Sequence, residues 1–130
     1  MAGTLHVELV SADRLLWSGE ATSLMTRTLD GDIGILPGHA PVMSVLADGV
    51  VEIETDEKET WVAAVDSGFL SVAADRVSIL AESAVMSHDI DLERAKRDLD
   101  RIKAEGNDDE EAVETVRRLE ARIRAVEMAS

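Results

Sequence analysis

Over the first two thirds of the chain, apolar residues recur at alternate positions in short runs. Leu5, Val7 and Leu9 alternate with His6 and Glu8, the period of a half-buried strand. Comparable runs follow at 15–17, 21–28, 42–46, 50–55, 61–65, 69–72 and 77–81. Ser11 to Arg14, Gly19, Asp56 to Glu59, Asp66-Ser67-Gly68 and Ala74-Asp75-Arg76 read as turns between them. Asp48-Gly49 reads as a hairpin dipeptide, because both of its residues tolerate positive φ. Many short strands with close turns predict an all-β sandwich, a flattened barrel of short antiparallel strands. Trp17, Trp61, Phe69 and the aliphatic residues are expected to fill its core.

From about residue 88 the period changes. Leu92, Ala95, Leu99 and Ile102 fall at helical spacing, as do Ala112, Val116, Leu119, Ile123 and Val126 beyond the Gly106-Asn107 interruption. The pattern predicts two amphipathic helices in an antiparallel hairpin, the first capped by Asp91 and the second opening on the acidic run 108–111. Glu93 with Arg97, and Lys96 with Asp100, are spaced for weak surface pairs. The fold expected is β plus α: a sandwich domain over 1–87, then a helical hairpin over 88–130. Two narrow stripes cover each other and leave little apolar surface to hold the pair onto the sandwich. Such helices are marginal alone, so the hairpin is a candidate mobile arm.

The charge refines this picture. The formal net charge is -14, and it is uneven: four Lys or Arg stand against fourteen Asp or Glu up to Ser87, and nine against thirteen beyond. An acidic chain repels nucleic acid and anionic membrane, so neither is an expected partner, and a basic protein surface suits it better. With no cysteine, disulfides and thiolate chemistry are excluded. No leader and no run of about 18 apolar residues is evident, which predicts a soluble, cytoplasmic chain without direct membrane insertion. Only Trp17, Trp61 and Phe69 are aromatic, too few for a base-stacking platform.

The densest local signal is Asp30 to Pro41, DGDIGILPGHAP. Gly31, Gly34 and Gly38 permit backbone angles closed to other residues, while Pro37 and Pro41 fix φ. The stretch therefore reads as a stiff, shaped loop tied down by Ile33, Ile35 and Leu36, presenting Asp30, Asp32 and His39. A plain turn residue without a partner contact is the lesser reading of His39, and His6 and His88 read as surface positions. No phosphate-cradling glycine motif and no pair of histidines at ligand spacing is present, so the chain is not expected to be an enzyme. The alternative from another class is a small metal-dependent, cupin-like β-sandwich enzyme holding its metal on His39 and a nearby carboxylate.

This loop, with Asp66-Ser67-Gly68-Phe69-Leu70-Ser71-Val72 and Val77-Ser78-Ile79-Leu80-Ala81-Glu82, resembles the epsilon subunit of the bacterial F-type ATP synthase nearly end to end. The resemblance implies a non-catalytic central-stalk subunit, peripheral on the cytoplasmic face of the bacterial cell membrane. It would bind the gamma subunit and the c-ring through the sandwich, and reach the catalytic alpha/beta subunits when the hairpin extends. Carried over, the c-ring contacts fall on Asp32 and His39, with Gly31, Gly34, Pro37, Gly38 and Pro41 shaping the loop. Ile90-Asp91-Leu92-Glu93-Arg94-Ala95 matches the family's I/L-D-x-x-R-A pattern. It implies ATP as a regulatory ligand, with no cofactor required, held by Ile90, Asp91, Arg94 and Ala95 together with Arg118 and Arg122. A plain N-cap at Asp91 and a solvated arginine face explain the same residues equally well. Two positions depart from the family: Ser67 stands where a glycine is usual, and Val85 where a glutamate is expected.

Overall fold

The computed structural model describes residues 3–129. Seven strands are followed by a short 3-10 turn and two helices. The strands are β1 (Leu5–Ser11), β2 (Arg14–Thr28), β3 (Gly31–Ile35), β4 (Val42–Leu46), β5 (Gly49–Thr55), β6 (Thr60–Ala73) and β7 (Arg76–Met86). After the turn at Ser87–Asp89 come α1 (Leu92–Glu105) and α2 (Glu110–Ala129). No helix among the described residues is long and apolar enough to cross a membrane.

Two of the strands are longer than the sequence pattern predicts. Gly19 does not break β2; it pairs with Val7, and a Cβ there would come within 3.0 Å of the Trp17 ring. The glycine leaves room for the indole, and the strand runs on. β2 then parts from β1 at Ala21 and continues along β5 and β3. β6 likewise runs straight through the expected turn at Asp66-Ser67-Gly68, pairing with β5 before it and β4 after it. β1 and β7 pair in parallel and close the barrel, the other pairings being antiparallel.

The Asp48-Gly49 hairpin does not form. β4 and β5 both lie antiparallel to β6 on the same side, Leu46 opposite Gly68 and Gly49 opposite Val65. They form one track in constant register, interrupted at 47–48. At this level the inward-facing positions change parity in three adjacent tracks, from Leu46 to Val51, from Val65 to Leu70 and from Ala81 to Met86. Here the sheet turns the corner between its two layers.

The core between the layers is aliphatic, with Leu5, Leu9, Leu24, Ile53, Leu70 and Ile79 essentially inaccessible. Trp17 and Trp61 pack partly buried at its edge with ring centroids 6.3 Å apart. Phe69 is 55% exposed and is not a core residue. The residue at the corner explains why: after the parity change Leu70 points in, so Phe69 points out.

The helices form where the apolar period predicts them. The Asp91 carboxylate accepts from the Arg94 amide at 3.1 Å as the N-cap, and Gly106 ends α1 in the left-handed conformation. The Asp109 carboxylate accepts from the Ala112 amide at 2.8 Å at the start of α2. Ion pairs on α1 link Asp98 to Arg94 and Arg101. α2 lies against β5 and β6, and α1 packs on α2.

Candidate partner surfaces and the helical arm

Each layer has an outer face, and the two differ. On the layer containing β5 and the first half of β6, Val62 and Ala64 point outward and are buried by Ala121 and Ala125 of α2, with Val50, Val85 and Ile90 around them. Small side chains let the helix approach closely but bury little apolar area per residue. On the other layer the outward row is bare. Val45 lies opposite Phe69, Phe69 opposite Leu80, and Leu80 opposite Val10, so one apolar stripe crosses β4, β6, β7 and β1. Val45, Phe69 and Leu80 are 44%, 55% and 54% exposed, and Met43 one step along β4 is 77% exposed. A contiguous apolar row of this kind on a folded surface marks a contact site.

The glycine-rich stretch is less of a loop than its composition suggests. Gly31–Ile35 is a strand paired with β2, and Gly34 sits within it opposite Met25. Gly31 and Gly38 take positive φ, at 123° and 87°. The chain turns after Leu36, where the His39 amide donates to the Leu36 carbonyl at 3.0 Å, with Pro37 and Gly38 inside the turn and Pro41 just before β4. The Gly38 amide donates to the Asp75 carboxylate at 2.7 Å, which fastens this turn to the β6–β7 hairpin.

Asp32 and His39 fall in different settings. Asp32 is not a free carboxylate: Arg27 Nε lies 2.9 Å from its Oδ1 across β2 and β3. That hydrogen bond and charge hold the Asp32 carboxyl below its ordinary value and the Arg27 guanidinium above its own. Asp32 also lines a cleft of about 420 Å³ between the sandwich and α2, together with Arg117 and Arg124. His39 stands on the Pro37 turn, its Nδ1 2.7 Å from the Ala40 carbonyl. Among the described residues no three His, Asp or Glu side chains gather as a metal would need, so His39 has no partners for the cupin-like alternative.

The structure divides the expected nucleotide set. Ile90, Asp91, Arg94, Ala95 and Arg122 line one cleft of about 380 Å³ between α1 and α2, within the range of small-molecule sites. Val85 lines it too, an apolar residue in place of a carboxylate. Arg118 does not line that cleft. Its Nε lies 3.8 Å from Asp66 Oδ2, and Arg122 Nη2 lies 4.0 Å from the same oxygen.

Sequence reasoning missed Asp66, which it placed in a turn. The residue is 4% exposed, on the outward row of β6 beneath α2. Burial pushes its carboxyl above its ordinary value; Arg122 and Arg118 pull it back, and Asp48 opposes them. The sequence signal was the coincidence of a lone Asp after five apolar residues with two arginines one turn apart on α2. Also missed was the Ala121 and Ala125 face of α2, because alanines carry little weight in an apolar period. Ser67 takes φ 45°, so the family's usual glycine there matches a left-handed backbone.

A family model described as ATP synthase, Delta/Epsilon chain, beta-sandwich domain matches residues 4–87. An ATP synthase epsilon chain of Streptomyces avermitilis is 52% identical over 126 residues, covering 97% of this chain and 98% of its own. One of Rhodococcus jostii is also 52% identical over 126 residues, covering 96% and 98%. A chain in the Euglena gracilis mitochondrial ATP synthase structure, OSCP/F1/c-ring, superposes with a TM-score of 0.74 at 25% identity, over 95% of this chain and 78% of that one. A chain of the Tetrahymena thermophila mitochondrial ATP synthase central stalk and c-ring shares the fold, with a TM-score of 0.58 at 11% identity over 99% and 98%. With its sandwich matched throughout and half of its residues shared with full-length relatives, this chain belongs to the ATP synthase delta/epsilon chain family.

Proposed function

We propose that this chain is a non-catalytic central-stalk subunit of an F-type ATP synthase, peripheral on the cytoplasmic face of the membrane. In this reading the 1–87 sandwich couples rotation between the c-ring and the gamma subunit, and the 88–130 hairpin regulates hydrolysis, reaching the alpha/beta subunits when extended. The observation that carries it is the stripe of exposed Val45, Phe69 and Leu80, continued by half-buried Val10, on the layer that α2 leaves uncovered. An apolar row fixed on a rigid ladder suits a permanent protein contact, and gamma is its proposed occupant. The end carrying His39 and the exposed Leu36 is the proposed foot on the c-ring, with Asp32 presented as half of an ion pair with Arg27. Co-purification with gamma tests the stripe. Phe69→Asp and Leu80→Asp should abolish the complex while leaving the subunit folded, and retention of gamma by both variants would refute the assignment.

ATP as a regulatory ligand is proposed for the cleft of Ile90, Asp91, Arg94, Ala95 and Arg122, where it would bridge α1 and α2 and favour the docked hairpin by mass action. Calorimetric titration decides. Saturable heat that Arg94→Ala removes is expected; no heat at millimolar ATP sinks the proposal.

A further inference from the structure

The contact between α2 and the sandwich is built from small apolar side chains around one buried, poorly satisfied ionic group. Asp66 Oδ2 faces Arg118 and Arg122 at 3.8 and 4.0 Å, distances that give charge attraction without a hydrogen bond. Its Oδ1 is buried with no hydrogen-bond partner, and Arg118 Nε is buried with none. The same row of the sheet adds the Asp48 carboxylate from the β4–β5 break, which repels Asp66, and Ser83 from β7, which weakly favours its charge. An ion withdrawn from water is repaid only when its lone pairs are satisfied, and here those of Oδ1 are not.

We propose that Asp66 is a proton-operated latch for the helical arm: α2 docks more tightly when the Asp66 carboxyl is protonated and loosens when it ionises. When α2 lifts away, the Asp48, Asp66 and Ser83 row becomes outer surface and the carboxylate recovers its hydration. The docked form thus holds the proton more firmly than the open form, in keeping with the upward push that burial gives this carboxyl. Rising pH through the docked carboxyl's range weakens docking, and acidification restores it. Below the ordinary carboxylate range both forms are protonated and nothing more is gained. The latch rests on the proposed mobility of the hairpin, because an arm that never lifts has nothing to release.

Amide exchange of the full chain, normalised for intrinsic rates, at about pH 5 and about pH 8 tests this. Protection of α2 should fall several-fold at the higher pH while β6 and β7 hold theirs. Asp66→Asn should remove that pH dependence and keep α2 protected at about pH 8. The Arg118→Gln, Arg122→Gln double variant should loosen α2 at high pH and recover it in acid, which keeps the test available if Asp66→Asn folds poorly. Asp66→Asn is the deciding arm, because it removes the one carboxyl the latch depends on and leaves every other titratable side chain in place. Equal pH dependence in wild type and Asp66→Asn would overturn the latch alone. Exchange of α2 only together with the core strands would overturn both the latch and the mobile arm.

Discussion

The Ser67 amide donates a 2.8 Å hydrogen bond to the Asp48 carboxylate, joining the break between β4 and β5 to the corner of β6. The Ser67 hydroxyl lies 3.3 Å from the same oxygen. Together they hold a non-glycine residue at φ 45°, a conformation that ordinarily costs on the order of 1 kcal/mol.

Asp48→Ala should therefore destabilise the chain by about 1–3 kcal/mol in urea unfolding, since it strands a part-buried donor. Asp48→Asn keeps an acceptor oxygen and should retain most of that stability. Ser67→Gly should fall within about 1 kcal/mol of wild type, the relief of strain offsetting the lost hydroxyl contact.

The neighbouring Gly68 admits no side chain. A Cβ there would meet the Leu80 carbonyl oxygen at 2.0 Å and the Ala81 Cα at 2.8 Å, both backbone atoms that cannot swing aside. Gly68→Ala should cost at least about 3 kcal/mol, read as a collapse of the urea midpoint or of folded yield.

Phe69 and Leu70 are adjacent in sequence and opposite in role. Leu70→Ala empties a fully buried site and should cost about 2–5 kcal/mol. Phe69→Ala removes a side chain that is more than half exposed, so the melting temperature should barely move while affinity for gamma drops. A large stability loss in Phe69→Ala would place it in the core after all.

The Arg27 and Asp32 pair sets a pH signature at the opposite end of the range from Asp66. Because Arg27 lowers the Asp32 pKa, the pair's contribution is present above the ordinary carboxylate value and fades as pH falls through the lowered one. Carboxyl NMR titration should show Asp32 ionising below an ordinary aspartate, and Arg27→Gln should move it back up toward the ordinary value. For function, Asp32→Lys should weaken coupling in intact complexes without unfolding the subunit; normal ATP-driven pumping would count against its place in the c-ring foot.

How much of this was legible depends on how local the cause is. The alternation of Leu5, Val7 and Leu9 and the caps around α1 are written within a few residues, and the structure follows them. Phe69 and Asp48 were misread because their settings depend on partners far along the chain. Asp48-Gly49 has hairpin chemistry, yet β6 is long enough to accept β4 and β5 end to end, and that pairing prevails. Gly19 looked like a breaker because the ring that fills its missing Cβ belongs to Trp17, two residues back on the same strand. For the sites, the cleft around Arg94 could be assembled from a motif, whereas Asp66 could not. Its burial is created by α2, some fifty residues later in the chain.

β2 and β6 each run through both layers of the sandwich instead of ending at the corner. Sliding one layer over the other would have to stretch two covalent backbones and shear the ladders on either side of them. A sideways load taken up at Phe69 and Leu80 therefore reaches the opposite layer through the chain itself, without relying on the grip of side chains across the core. The domain behaves as a solid key, and whatever turns one face of it turns the other through the same angle.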